Sequence, residues 1–288
     1  MSYDLRGKVV LITGAAGGIG SATARELYRN GSSLVLTDTS QIAVDTLAQE
    51  FNSQNVLPLV FDVTDAEAAK EVVRRAVERF GRLDVAFANA GISWRGVPAT
   101  LRTCDEAEFR RIIEVDLFGV WNTMRAALPE IVRNRGQVLV TSSIYAYLNG
   151  MANAPYAASK AAVESLIRSL RTELGATGAS ASVLYPGWTE TAIAKVAFGG
   201  NAIATEMNRT ALPAFLRRTI PPEQVAQGVV RGLQKRQPRI AVPARWAPIS
   251  MMRGLFNMFA DRLLTRNTHL HRLIGQLEEE VVRTRDCD

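Results

Sequence analysis

Cysteine and histidine are nearly missing from this chain, with two of each in 288 residues. Cys104 and Cys287 cannot build a disulfide framework, and they point to reduced thiols in a cytoplasmic protein. His269 and His271 stand in the C-terminal tail without cysteine or carboxylate ligands in a cluster, so no metal site is expected and zinc-dependent alcohol oxidation is disfavoured. No run of about 18 apolar residues is free of charges, which excludes a membrane-spanning helix. The stretch Met1–Lys8 carries Asp4, Arg6 and Lys8 and passes straight into an apolar run, so no secretory signal is expected. Internal repeats, low-complexity linkers and Ser/Gly-rich hinges are lacking too, as a single domain over residues 1–288 requires.

Acidic charge is short in the last third only. Residues 209–288 hold fourteen Arg/Lys against seven Asp/Glu, whereas the first 208 hold twenty against twenty-one. Arginine outnumbers lysine twenty-nine to five without forming a dense basic block, and no zinc-finger or RNP-type motif accompanies it, so no nucleic-acid partner is expected.

Short apolar runs alternate with helical patterns, the mark of βα units around a parallel sheet buried on both faces. Strands are expected at Lys8–Thr13, Ser33–Thr37, Val56–Phe61, Leu83–Ala88, Gln137–Ser142, Ala181–Tyr185 and Arg239–Val242. Thr64 with Glu67 and Thr103 with Glu106 read as capping boxes, and Gly31 and Gly81 as helix-ending glycines. The helix opened at Thr103 is expected to run to Val132. Residues 188–220, with Phe198, Gly199, Gly200 and Met207, form a long segment read as a substrate loop. Residues 244–288 read as an amphipathic helical extension. It packs on its own domain or a neighbouring subunit, or makes a weak membrane-surface contact.

Thr13-Gly14-Ala15-Ala16-Gly17-Gly18-Ile19-Gly20 follows the first strand and opens a helical run over Ser21–Arg29. Glycines there permit a tight bend and let the backbone approach a pyrophosphate, while the helix N-terminus offers free N–H donors. Asp38 ends the second strand, where a carboxylate accepts hydrogen bonds from both adenosine ribose hydroxyls and repels a 2′-phosphate. Neither Gly17 nor Thr39 supplies a compensating cation, so NAD is favoured over NADP.

Tyr156 and Lys160 lie four residues apart, on one face of a helix of small residues. A nearby ammonium favours phenolate, so the expectation is a tyrosine moved from its usual pKa of about 10 toward the operating pH. Such a group exchanges a proton with an alcohol or alkoxide while hydride moves to or from a nicotinamide. Ser143, at the carboxyl end of a strand, is placed to hold the substrate oxygen.

Thr13–Gly20, Asn89-Ala90-Gly91, Ser143, Tyr156/Lys160 and Pro186-Gly187 lie in the order and spacing of the short-chain dehydrogenase/reductase family, which the chain resembles over roughly residues 5–243. The resemblance implies a doubly wound, seven-stranded parallel Rossmann sheet with helices on both faces, assembled as a homodimer or homotetramer. It implies Tyr156 as acid/base, Lys160 on the nicotinamide ribose and Ser143 on the reacting oxygen. Gly14, Gly18, Ile19, Gly20 and Gly91 would shape the NAD site, Asp62 and Val63 would edge the adenine, and Asn89 would hold sheet and pocket together. Pro186, Gly187 and Thr191 would meet the carboxamide.

One position departs from the pattern. Many members carry an asparagine that orders a proton-relay water, and the matching residue here is Asp116. A carboxylate accepts hydrogen bonds but donates only when protonated, so the relay is expected to work with altered pH behaviour. Trp94, Tyr145, Tyr147 and Trp188 line the pocket or belong to the core, and Arg95 and Arg102 read as solvated. The reading is an NAD-dependent enzyme interconverting a secondary alcohol and a ketone on a fairly apolar small molecule. An NADPH-dependent 3-oxoacyl reductase of the same fold, or a non-catalytic nucleotide-binding protein, stands as the alternative.

Overall fold

The seven apolar runs become β1 (Val9–Thr13), β2 (Ser33–Asp38), β3 (Val56–Val60), β4 (Val85–Ala88), β5 (Gln137–Thr141), β6 (Ser180–Pro186) and β7 (Arg239–Val242) in a computed structural model that describes residues 2–194 and 200–285. All pair in parallel in the order β3-β2-β1-β4-β5-β6-β7, with Leu11 opposite Val35 on one side and Ala86 on the other. Alternation along each strand feeds two cores. Val10 and Ile12 pack with Ala24 and Leu27 of α1 (Gly18–Arg29), Val44 of α2 (Gln41–Ala48) and Val225 and Val229 of α9 (Pro222–Gln234). Val9 and Leu11 join the opposite core, with Val72 of α3 (Ala66–Phe80), Met124 of α5 (Gly119–Arg133) and Val163 of α6 (Ala154–Glu173). The doubly wound Rossmann architecture is therefore the fold.

Helix starts differ from expectation at three places. The Asp65 carboxylate, not Thr64, caps α3, accepting from the N–H groups of Glu67 and Ala68 at 2.9 Å each. Asp105, not Thr103, caps α4 (Glu106–Ile113) through the N–H of Glu108 at 2.9 Å. A carboxylate one or two residues downstream of each threonine takes the cap because its full charge faces the positive end of the helix dipole. The third case is α1, which begins at Gly18 rather than Ser21, so the last glycines of the turn already belong to its first turn. Gly31 and Gly81 do end α1 and α3, both at positive φ.

The helix expected from Thr103 to Val132 is broken. A π-helical turn at Glu114–Phe118 separates α4 from α5 and leaves Asp116 fully buried. Single wide turns of this kind recur at functional sites because they re-aim one side chain.

Residues 188–220 contain α7 (Ala192–Ala194) and α8 (Ala202–Ala211), and Phe198 and Gly199 fall outside the described residues, as does Cys287. The tail is several helices rather than one: a 3-10 turn at Ala244–Trp246, then α10 (Ala247–Met251), α11 (Arg253–Thr265) and α12 (Thr268–Arg285). Their fates diverge. Leu270, Leu273 and Leu277 of α12 pack with Met207 of α8, and Val281 packs with Trp94 and Ile112, so α12 belongs to this chain's own core. No residue of α11 is buried. Among the described residues no helix is long and apolar enough to cross a membrane.

Candidate active site

Between β1 and β4 the strand order reverses, and at this switch point the chain leaves a cavity of about 570 Å³ at the carboxyl ends of the strands. The glycine turn forms one wall. Gly14 sits at φ +61°, and a Cβ there would lie 2.9 Å from Ala90 Cα, so only glycine suits the bend. Gly14, Gly17, Gly18 and Ile19 line the cavity, and the first-turn N–H groups of α1 have no intrahelical partner. Gly20 does not line it. It lies against the backbone of Gly14 and Ala15 and lets the helix start close to the turn. Thr191 closes this wall, since a Cβ on Gly18 would stand 3.0 Å from its Cγ2.

Asp38 reaches the same wall from β2. Its Oδ2 accepts from the Ala16 N–H at 3.1 Å and its Oδ1 from the Thr39 N–H at 2.9 Å. Asp62 and Val63 lie beside it in the lining. Asn89 ties the parts together: its Nδ2 donates to Thr13 O at 3.1 Å, and its Oδ1 accepts from Thr141 Oγ1 at 3.1 Å. Pro186 and Gly187 bring the end of β6 to the opposite side.

Ser143, Tyr156 and Lys160 converge on this cavity. Ser143 lies just past the end of β5, and its Oγ accepts from the Tyr145 N–H at 3.2 Å. Tyr156 and Lys160 share one face of α6, and the ammonium lies 5.2 Å from the phenol ring centre. Ser142 Oγ donates to the Lys160 carbonyl at 2.8 Å, which pins α6 against the sheet.

Asp116 stands behind the lysine and does not line the cavity. Its Oδ2 is 3.2 Å from Lys160 Nζ, and its Oδ1 accepts from the Ile92 N–H at 2.7 Å. Gly91 leaves room for the pair: a Cβ there would be 3.1 Å from the ammonium and 3.5 Å from Asp116 Oδ1. Both charges are buried, a situation tolerated only when they are paired. Burial pushes the Asp116 carboxyl up, and Lys160 and the Ile92 N–H offset this only in part. Burial pulls Lys160 down, but Asp116 and the Tyr156 oxygen outweigh it and raise the lysine overall.

This corrects the expectation for the phenol. Tyr156 lies above, not below, an ordinary tyrosine: burial raises it most, Lys160 lowers it, Asp116 raises it again, and a hydrogen bond with Ser143 lowers it. Spacing along α6 places the ammonium correctly. It does not register that a carboxylate from another helix neutralises it.

Other residues sort cleanly. Tyr145 and Trp188 line the cavity, their rings 5.9 Å apart, whereas Trp94 is buried with its Nε1 donating to Ala152 O at 2.9 Å, and Tyr147 belongs to the core. Arg102 pairs with Glu278 at 3.2 Å, and Arg95 stands exposed at the cavity lining. Asn153, which sequence reasoning passes over, lines the cavity with a buried Oδ1 that has no partner among the described residues. Its only signal is position, three residues before Tyr156 at the start of α6. His269 and His271 are exposed on α12, and no cluster of metal-ligating side chains occurs among the described residues.

A Rossmann sheet, a glycine turn at the first helix and a Ser-Tyr-Lys set on the same cavity define the class as nicotinamide-dinucleotide oxidoreductases. The short-chain dehydrogenase family model matches residues 8–201, and the chain belongs to that family. It is 34% identical over 229 residues to a 3-oxoacyl-[acyl-carrier-protein] reductase of Thermotoga maritima, covering 78% of this chain and 90% of the relative. Identity is also 34%, over 224 residues, to cis-4-hydroxycyclohexanecarboxylate dehydrogenase of Sinomonas cyclohexanicum, covering 77% and 87%. Among solved structures, a short-chain dehydrogenase/reductase from Burkholderia phymatum in complex with NAD superimposes with a TM-score of 0.75 at 25% identity, over 92% of this chain and 97% of that one. An alcohol dehydrogenase from Thermococcus sibiricus complexed with 5-hydroxy-NADP gives 0.67 at 31% identity, over 81% and 94%. The protein is thus an oxidoreductase of a family whose members hold nicotinamide cofactors.

Proposed function

We propose that the protein interconverts a secondary alcohol and a ketone on a fairly apolar small molecule, uses NAD, and relies on Tyr156 as acid/base. The observation that carries this reading is the convergence of Ser143, Tyr156 and Lys160 on the cavity that the glycine turn opens. The residues fit a dinucleotide. Free N–H groups at the start of α1 suit its phosphates, Asp38 its adenosine ribose, Asp62 and Val63 its adenine edge, and Pro186, Gly187 and Thr191 its carboxamide. When bound, the nicotinamide supplies or accepts the hydride.

The protein's own groups handle the oxygen. Ser143 Oγ donates to the carbonyl oxygen and polarises it, while the Tyr156 hydroxyl delivers a proton to the developing alkoxide. In the reverse direction the phenolate removes the alcohol proton. Lys160 orients the ribose side of the pocket. Tyr145, Trp188 and Ile92 present an apolar surface to the rest of the substrate, and the unpartnered Asn153 oxygen accepts from one donor on it.

Asp38 supports NAD because its charge opposes a 2′-phosphate, and its neighbours in the lining, Gly17 and Thr39, carry no charge to offset it. Against this, the T. maritima relative is named for 3-oxoacyl reduction, and Arg95 at the lining offers a cation to a phosphate-bearing acyl carrier. A screen of secondary alcohols, ketones and 3-oxoacyl thioesters with NADH and NADPH, read by nicotinamide absorbance, separates the two. Tyr156→Phe is expected to lower turnover by about 10²–10⁴ and leave NADH binding intact. Undiminished turnover in this variant removes the acid/base assignment, and a wild type that binds NADH but turns over nothing favours the non-catalytic alternative.

We infer that the assembly is a homodimer or homotetramer in the reducing cytoplasm, with the α4–α5 and α6 surfaces as contacts, a reading supported by exposed Phe118 and Trp121. We infer also that α10 and α11 lie on anionic lipid. Met251, Met252, Leu255, Met258, Phe259 and Leu263 are all exposed. On and just after α11, Arg262 and Arg266 stand exposed, whereas Arg253 pairs with Glu164 at 2.7 Å and the one acid of the segment, Asp261, already accepts from Asn149 Nδ2 at 2.9 Å. A second copy on this face would set like charges together, whereas an anionic surface complements them.

A further inference from the structure

More than the ion pair behind Tyr156 holds the lysine in place. The Ser142 hydroxyl already pins the Lys160 backbone, and the helix face already aims its side chain at the phenol. What Asp116 adds is charge. We propose that Asp116 is a positioning residue that neutralises Lys160 and so keeps the Tyr156 proton in place, setting the site at neutral pH to give a proton to a carbonyl oxygen rather than to take one from an alcohol.

The argument is a charge count in a buried volume. Asp116 and Lys160 lie 3.2 Å apart with both side chains buried, so with the phenol protonated the group of three is neutral overall. Forming the phenolate leaves it with one uncompensated negative charge in a low-dielectric site, which is costly. With an uncharged residue at 116 the same step takes the group from one positive charge to none. The direction of the shift at Tyr156, upward with Asp116 among its causes, agrees.

The groups facing the three are few. Arg111 reaches Asp116 from α4 but is committed to Glu108 and to Ser93 O. Tyr145 meets the Tyr156 ring edge-on at 5.9 Å from the 3-10 turn at Ile144–Ala146, and Ser143 hydrogen-bonds the phenol. None of these replaces the Asp116 charge. In carbonyl reduction, the Tyr156 proton goes to the carbonyl oxygen, while a bound reduced nicotinamide would supply the hydride to the carbonyl carbon. The phenolate left behind then regains a proton from solvent, a step that Asp116 favours. Oxidation at the same pH must start from the scarce phenolate.

This inference rests on the acid/base reading of Tyr156, and its test does not require turnover. In the cofactor-free protein, tyrosinate absorbance is titrated with pH, and the Tyr156 transition is identified by its loss in Tyr156→Phe. Asp116→Asn is expected to move that transition to lower pH by about one unit, and Asp116→Glu, which keeps the charge, to leave it within a fraction of that shift. Asp116→Ser serves as the second neutral variant should the asparagine one fail to fold. Once a substrate is found, the alkaline-rising limb of oxidation should move with the transition in the neutral variants, and the ratio of kcat for oxidation to kcat for reduction, both at saturating substrate and cofactor and neutral pH, should rise about tenfold, with KM shifting in compensation because the equilibrium constant fixes the ratio of kcat/KM. An unmoved or upward-moving transition in both neutral variants overturns the proposal even if the enzyme is fully active. A moved transition without any turnover supports the charge effect and indicts the catalytic reading instead.

Discussion

Two helices of this molecule reverse the usual rule of burial. On α6, Lys160 is only 1% exposed, in the company of buried Ser159 and Glu164. On α11, Phe259 is 67% exposed and Met258 69%, with no buried neighbour on the helix. A buried ammonium costs several kcal/mol unless paired, and a row of exposed apolar side chains forgoes roughly 1.5–3 kcal/mol for each group left in water. Folding stability selects neither arrangement. Both are therefore where function is sought, one facing inward to a cavity and the other outward to a surface.

The sharpest way to break the contrast is to remove the buried charge. Lys160→Met fills similar volume but strands Asp116, and a loss of about 3–5 kcal/mol in unfolding free energy is expected. Its pH dependence has a definite sign. Burial already raises the Asp116 carboxyl in the native state, and loss of its partner raises it further. A group raised on folding stabilises most below its unfolded value, near 3.9, and that contribution is lost as pH rises toward the native value. The deficit of Lys160→Met should therefore shrink in acid and grow toward neutrality, and the double variant with Asp116→Leu should recover much of it. Denaturant melts at several pH values check this. A deficit that is flat with pH would mean the pair carries no buried charge.

The same contrast explains how much of the protein is legible in its sequence. The strands of the sheet were legible because a strand buried on both faces must be continuously apolar, and β1 with its glycine turn shows both signals within twelve residues, Val9 to Gly20. Tyr156, Lys160 and Ser143 were legible because helix periodicity and strand ends are local properties. The charge state of the site was not, since it depends on Asp116 arriving from the π-helical turn at Glu114–Phe118, a break that no local pattern announces. The tail failed for a related reason. Its apolar spacing fits a helix everywhere, but only tertiary contact separates α12, whose leucines and Val281 are buried with Met207 and Trp94, from α11, whose Leu264 reaches that cluster only as a partly buried neighbour.

A smaller effect is expected at the cofactor wall. Asp38→Asn keeps an acceptor for the Ala16 N–H but removes the charge that opposes a 2′-phosphate. The ratio of NADPH to NADH affinity should rise about tenfold, equal to ~1.4 kcal/mol. Fluorescence titration with each reduced cofactor reads it, and an unchanged ratio would place the discrimination elsewhere.

The smallest effect on folding sharpens the outward half of the comparison. Met258→Ser with Phe259→Ser alters two side chains that are mostly in water already, so thermal stability should change by no more than about 0.5 kcal/mol. Binding is a different matter if α11 meets lipid, because both side chains then leave water on contact and most of their transfer free energy is lost in the variant. Co-sedimentation with vesicles rich in phosphatidylserine should fall at least tenfold, and wild-type binding should weaken with salt because Arg262 and Arg266 lie exposed on the same segment. Neutral phosphatidylcholine vesicles separate the two contributions, since they retain the apolar term and lose the electrostatic one. If the wild type binds neither vesicle and instead runs as a larger assembly that the double variant breaks down, the exposed face of α11 belongs to a subunit contact, and its arginines must then find acids on a different face of the neighbouring copy.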